Sequence, residues 1–311
     1  MAALTYHPGQ FTRFAAPQED CHVKIRRGAP DRRGSRVRRP LVPPVASARM
    51  YAWSPTLAAA WRRLLEWTSV RAGVPLDLMD SADPTPLDDL WRRDDLGCVF
   101  MCGYPWALRA DPPHLLAAPV PSPPRYGGRP VYVSDFIVRE DSPHRTLADT
   151  FGGVIAYSTE HSHSAYNAPR FHLARYVSPS RPTLFRTVLG PFVRQMPILE
   201  AVAEGRADVA AVDGYALDLL RRHRPELTAR VRVVDTTVPA PSAPLVASPS
   251  VPVEARERLT AALLELDQVP AMQATLEDLL LARFVPTRPE DFGVFLERQR
   301  AAETAGYPKL A

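Results

Sequence analysis

Val131-Tyr-Val-Ser-Asp-Phe-Ile-Val138, then Val154-Ile-Ala-Tyr-Ser158 and, directly after it, Thr159-Glu-His-Ser-His-Ser-Ala-Tyr166, are the segments on which the reading of this chain turns. The first is apolar enough for a buried strand but long for one. It follows a Pro-rich stretch at 119–130 that closes one run of strand and helix signals and opens another, so it reads as a crossing between two lobes. The second ends an apolar strand at Ser158, and the third leads through hydroxyl and imidazole side chains into a helix expected near 165–175. A helix start leaves peptide N–H groups unpaired and attracts anions. The N–H groups of Ser162, His163 and Ser164 are therefore expected to converge on one spot; the alternative is that one serine caps the helix and the others face water.

Working outward, strand and helix signals alternate from Met50 onward, which predicts parallel sheets. Ser54 caps a first helix, Pro55 takes its first position, Leu57, Trp61, Leu64, Leu65 and Thr68 form one face, and Gly73 ends it. Strands are expected over 76–79, 97–102 and 115–120, with a helix opened by Thr85-Pro86. Beyond the crossing, strands are expected over 154–158, 184–188 and 208–212, with helices near 198–204 and 215–223. A strand over 231–236 and a Pro-rich stretch then lead to Leu245-Val-Ala247, a second candidate crossing. Everything after Pro252 reads as helix (253–266, 271–281 and 289–302), expected to return over the first lobe. The expected division is a basic tail or mis-assigned start at 1–47, one lobe of 48–130 plus 240–311, and another of 131–239. Two crossings between two lobes make a hinge.

The formal charge of +4 is unevenly placed: residues 1–49 carry ten Lys/Arg against three Asp/Glu, which leaves the body near −3. A body of that balance lacks the electrostatic footprint that a phosphate backbone needs, so no nucleic-acid partner is expected. No stretch approaches the roughly 18 to 20 apolar residues of a membrane-spanning helix, so any membrane role is expected to run through a partner. Three cysteines, Cys21, Cys98 and Cys102, offer no even disulfide framework. Cys98 and Cys102, four residues apart on an expected strand, would sit roughly 13 Å apart, too far to bridge. At the start of the chain, Arg38-Arg39 precedes a short stretch broken by three prolines, and no lipobox precedes Cys21. An unfamiliar export signal, a true start near Met50 and a cytoplasmic protein all stay open.

Ligands of open α/β sheets bind beyond the carboxyl ends of strands. Four such turns stand out: Tyr51 to Ser54, Gly103-Tyr104, the Ser158 to Tyr166 segment, and Asp213-Gly-Tyr215. The expected ligand-binding set is Tyr51, Ser54, Tyr104, Ser134, His161, Ser162, His163, Ser164, Asp213 and Tyr215. Tyr104 and Tyr215 also read as core aromatics, and Asp213 as a helix cap. His161 and His163 alternate as metal ligands would, but a lone His-x-His without further ligands favours surface or donor roles. No phosphate loop, dinucleotide fingerprint, nucleophile elbow or zinc-helix motif is present, so no catalytic residue, metal or cofactor is expected.

The run from Arg129 through Asp-Ser-Pro143, the Thr146 to Ser158 segment with its Ser/His loop, and Ile198-Leu-Glu-Ala-Val-Ala-Glu-Gly-Arg-Ala-Asp-Val-Ala-Ala-Val-Asp213 resemble the phosphonate-binding (PhnD-like) substrate-binding proteins of ABC transporters. The likeness covers about residues 48 to 270. It implies the α/β two-lobed fold of the periplasmic-binding-protein type II superfamily, each lobe a mostly parallel sheet flanked by helices and joined by two crossing hinge strands. It further implies that Ser162, His163 and Ser164 hold ligand oxygens, that Tyr104 contacts them from the first lobe, and that Asp213 receives a ligand proton or ammonium. The expected function is capture of a small anionic, phosphonate-like ligand by a monomer that serves ABC permease membrane subunits, in the periplasm or another extracytoplasmic space. The alternatives are a cytoplasmic enzyme on the same fold, like the pyrimidine-precursor synthases, and a ligand sensor.

Overall fold

The computed structural model describes residues 42–80, 82–83 and 85–311. Most of the expected basic tail, with Cys21 and the question of a leader, lies outside the described residues. Strand β1 (Val45–Ser47) comes first, and a helical turn at Arg49–Tyr51 leads into α1 (Pro55–Ala72). The expected signals act at both ends of α1: the Leu57 N–H donates to Ser54 Oγ at 3.2 Å, and Gly73 closes the helix with φ 60°, a left-handed backbone that glycine adopts freely. Its buried face, including Leu57, Trp61, Leu64 and Leu65, contributes on the order of 2 kcal/mol per large side chain. There follow β2 (Asp77–Leu78), α2 (Leu87–Trp91), β3 (Leu96–Phe100), α3 (Gly103–Ala107) and β4 (His114–Pro121).

The chain then crosses through β5 (Val131–Tyr132) to β6 (Ser134–Arg139). It continues through β7 (Val154–Ala156), a π-helical turn at His163–Asn167, α4 (Ala168–Leu173), β8 (Thr187–Leu189), α5 (Gln195–Ala203), β9 (Val209–Asp213), α6 (Gly214–His223), α7 (Pro225–Thr228) and β10 (Val231–Thr236). The return runs through β11 (Ala240–Pro241) to β12 (Leu245–Ala247), α8 (Val253–Glu265), α9 (Gln273–Asp278), β13 (Leu281–Val285) and α10 (Gly293–Thr304). One sheet has the order β13-β4-β12-β3-β1-β2, the other β10-β6-β9-β7-β8, and each carries its own apolar core. The two crossings pair with each other, Tyr132 opposite Ala240 and Val131 opposite Pro241. This antiparallel ribbon joins two separately cored sheets.

Several expectations are corrected. The sheets are mixed rather than mostly parallel. β1 pairs in parallel with β2 and β3, and β7 with β8 and β9, but β12 enters antiparallel between β3 and β4, and β6 enters antiparallel beside β9. The cause is topological, because a strand arriving from the other lobe runs against the strands already there. The first sheet also begins upstream of the expected division at residue 47: β1 is wholly buried between β2 and β3, so the fold uses residues before Met50. The region after Pro252 is not all helical. Leu280, at φ 50°, turns the chain, and β13 then pairs with β4 at the sheet edge.

The C-terminal segment does not stay on the first lobe. Phe295 of α10 sits in the first core, whereas Tyr307 and Leu310 sit among Phe136, Val138, Ile155 and Val209 of the second sheet. The carbonyl of Ala311 accepts the N–H groups of Leu184 and Phe185. Helix α6 is shared as well, with Tyr215, Ala216 and Leu219 in the first core and Leu217 and Leu220 in the second. No helix of the described residues is long and apolar enough to cross a membrane.

Candidate functional site

A cavity of ≈ 620 Å³ opens where the carboxyl ends of β1, β3, β7 and β9 face one another. The first sheet's side supplies Arg49 to Pro55, Asp83, Thr85, Asp88, Trp91, Cys102 and Gly103. The second supplies Ser158, Thr159, His161, Ser162, Ser164, Val193 to Pro197, Glu200 and Asp213, and Tyr132 of the crossing ribbon adds to the wall. Residues from both sides of the hinge thus share one space.

Helix starts dominate its polar lining. Ser54 caps α1, Ser162 Oγ accepts the Ala165 N–H at 3.1 Å, and Asp213 Oδ1 accepts the Ala216 N–H at 3.1 Å at the start of α6. The start of α5 differs. Arg194 stands at its cap position with no side-chain cap, Pro197 has no N–H to give, and the N–H groups of Gln195 and Met196 find no protein acceptor among the described residues. Gln195 knits the second-sheet side together, donating from Nε2 to Ser164 Oγ at 3.0 Å and accepting the Asp213 N–H on Oε1 at 3.3 Å. The exposed Arg194 guanidinium has no ion-pair partner among the described residues. Just before it, Val193 holds φ 64°, a left-handed backbone costly for a β-branched residue, while its N–H donates to the Ser158 carbonyl at 3.1 Å.

Two contacts span the cavity. Tyr51 Oη donates to Asp213 Oδ2 at 3.4 Å, and His161 Nδ1 lies 3.0 Å from Asp88 Oδ2. Burial pushes the Asp213 carboxyl up to about 7, against the opposing pull of the Ala216 and Tyr215 N–H groups. Near neutral pH this acid is therefore poised to donate as well as accept. Arg49 is committed elsewhere, with its guanidinium 3.1 Å from Asp83 Oδ1 and donating to the Thr85 carbonyl at 2.7 Å.

Of the ten expected site residues, the structure brings six together at the cavity: Tyr51, Ser54, His161, Ser162, Ser164 and Asp213. Four lie elsewhere. Tyr104 Oη donates to Gln299 Oε1 at 2.9 Å, and Tyr215 is buried with its hydroxyl on the Leu279 carbonyl at 2.6 Å. Ser134 is buried in β6 with no partner for Oγ among the described residues. His163 is fully buried, with Nδ1 2.5 Å from Tyr132 Oη and its ring edge-on to Phe295; burial lowers its pKa well below the usual histidine range, which keeps it neutral.

The expected convergence of the Ser162, His163 and Ser164 N–H groups is corrected too. The Ser162 N–H donates to the Thr159 carbonyl, the His163 N–H faces the Cys102 thiol, and only the Ser164 N–H has no protein acceptor among the described residues. The two histidines diverge because Ser162 caps a helical turn, which breaks the alternation of an extended segment. Among the described residues no three His, Cys, Asp or Glu side chains cluster as a metal site. Sequence reading missed Trp53, Arg194, Gln195 and Glu200. For Arg194 and Gln195 a signal existed, since Pro197 belongs in a helix's first turn and places the start upstream of the expected Ile198.

The fold is that of known solute receptors. A binding protein component of an ABC phosphonate transporter from Pseudomonas aeruginosa superposes with a TM-score of 0.69 at 19% identity, over 81% of this chain and 83% of that one. PhnD1 from Prochlorococcus marinus in complex with methylphosphonate gives 0.66 at 15%, over 80% and 93%. A Xanthomonas citri protein bound to ATP gives 0.56 at 20%, over 80% and 95%. No curated protein matches the chain by sequence. The family described as "ABC transporter, phosphonate, periplasmic substrate-binding protein" matches residues 51–292. With that match spanning most of the fold and both sides of the cavity, the chain belongs to this phosphonate-binding family of solute-binding proteins.

Proposed function

We propose that the cavity takes up an oxyanion of the phosphonate class, holds it between two lobes, and that the ligand-bound form is presented to the membrane subunits of an ABC permease. The observation that carries this reading is the meeting of four helix starts, at Ser54, Ser162, Arg194 and Asp213, from both sides of one cavity. Each start carries a partial positive charge, and their sum favours an anion. In this reading the oxyanion lies against Ser164, the Gln195 and Met196 N–H groups and Arg194. Tyr51 and Ser54 face it from the other side, and Asp213 takes a proton on the ligand or gives its own. Among proteins of the same fold, one is described with methylphosphonate and another with ATP, both of which are phosphorus oxyanions.

The lobes in this account are 42–130 with 240–306, and 131–239 with 307–311, joined at the β5–β11 ribbon. The protein acts as a monomer on the outer side of the cytoplasmic membrane. Its family and structural neighbours are substrate-binding proteins rather than enzymes, and full burial takes His163 out of reach of a substrate. Isothermal titration of the full chain against phosphonate, phosphate, phosphite, sulfonate and phosphate-ester ligands tests the reading. Micromolar or tighter binding of a phosphorus oxyanion is expected, and a folded protein that binds none of them refutes it.

A further inference from the structure

Resting on that reading, we infer that the ligand carries a bulky apolar body of aryl-like size beside its oxyanion, lodged against Trp53, Met50 and Met196. The cavity, at ≈ 620 Å³, is on the scale that encloses drug-sized ligands, whereas methylphosphonate is a single phosphorus with three oxygens and a methyl group. Much of the remaining wall is apolar. Met50, Trp53, Leu87, Met196 and Pro197 are all half-buried and all line it, and water ordered against such surfaces has too few polar partners to hold it.

Trp53 is the central feature. It packs against the cores of both sheets, is half-buried, and lines the cavity. A tryptophan bridging two lobes is placed to close over a flat ligand, and Met50 and Met196 are adaptable side chains that mould to an irregular apolar shape. The polar groups placed for an oxyanion, Ser164 and Arg194, lie on the second-sheet side. The arrangement separates a place for charge from a place for an apolar body. Burying half the surface of an aromatic ring corresponds to a gain of about tenfold or more in Kd.

The test is isothermal titration of the full chain with methylphosphonate, phenylphosphonate and 2-aminoethylphosphonate, repeated with Trp53→Ala and, in case that change disturbs folding, Met50→Ala. Phenylphosphonate is expected to bind about tenfold or more tighter than methylphosphonate. That advantage should shrink to about threefold or less in a folded variant, with methylphosphonate affinity held within about threefold. Methylphosphonate binding as tightly as phenylphosphonate overturns the inference and leaves oxyanion capture standing. 2-Aminoethylphosphonate binding tighter than phenylphosphonate also overturns it, because the body recognised would then be cationic. A folded wild-type protein that binds none of the three refutes oxyanion capture itself.

Discussion

Asp213→Asn separates the cost of burying a carboxyl at the cavity from its use as a helix cap. Asparagine keeps the cap, since its side-chain oxygen can accept the Ala216 N–H as the aspartate oxygen does. The change therefore removes mainly the charge. Burial raises the folded-state pKa from 3.8 to about 7, and at about 1.4 kcal/mol per unit an ionised Asp213 costs the fold on the order of 4 kcal/mol. Between those two values the folded chain keeps a proton that the unfolded chain has released. Stability from this group therefore falls as pH rises through that window and levels off above it. That cost is already net of the Ala216 and Tyr215 N–H groups, and the asparagine amide nitrogen, which faces Tyr51 Oη where a carboxylate oxygen had accepted, takes back about 1 kcal/mol of the gain. The expected result is a variant about as stable as wild type near pH 4 and about 2 to 3 kcal/mol more stable at pH 8, measured by urea unfolding at stepped pH. A difference that does not change with pH, or a variant less stable at pH 8, would refute the reasoning that burial holds this acid partly neutral.

Other outcomes follow from the same geometry. Ser164→Ala should weaken phosphonate binding about tenfold by titration calorimetry, since it removes a hydroxyl shared with Gln195, whereas Tyr104→Phe should leave affinity unchanged because its hydroxyl serves Gln299. Arg194→Ala should lower affinity and flatten its dependence on salt, because an exposed guanidinium is screened. Val193→Gly should raise the urea midpoint by the equivalent of about 1 kcal/mol by relieving a left-handed valine. Tyr307→Ala should cost about 3 to 5 kcal/mol, because a fully buried ring and the hydroxyl contact to Ala311 at 2.7 Å are both lost.

How much of this was readable depended on how local the cause was. Helix α1 was legible from end to end because Ser54, Pro55 and Gly73 act within a few residues of themselves. So were the crossing at Val131 and the strands β3, β4 and β9, whose apolar runs are continuous. Strand β1 was not, because three residues after a proline-broken stretch carry no period, and only their neighbours β2 and β3 make them a strand. The direction of β12 and β6 is set by where the chain has come from, which no window of sequence contains.

Ser162, Ser164 and Asp213 reach the cavity as expected, because helix starts announce themselves. His163 and Tyr215 were misplaced because whether a side chain near a helix start faces the cavity or the core depends on the opposing lobe: Phe295 meets the first and the Leu279 carbonyl the second. Trp53 was passed over for a similar reason, since its role comes from touching two cores at once.

Capture of an oxyanion between the lobes is best checked by a crystal structure of the full chain grown with a phosphonate. The phosphorus oxyanion is expected between the two sheets, within hydrogen-bonding distance of Ser164 and the start of α5, with Trp53 against the organic group. Phosphonate found only outside this cavity, or touching residues from one sheet alone, would contradict it.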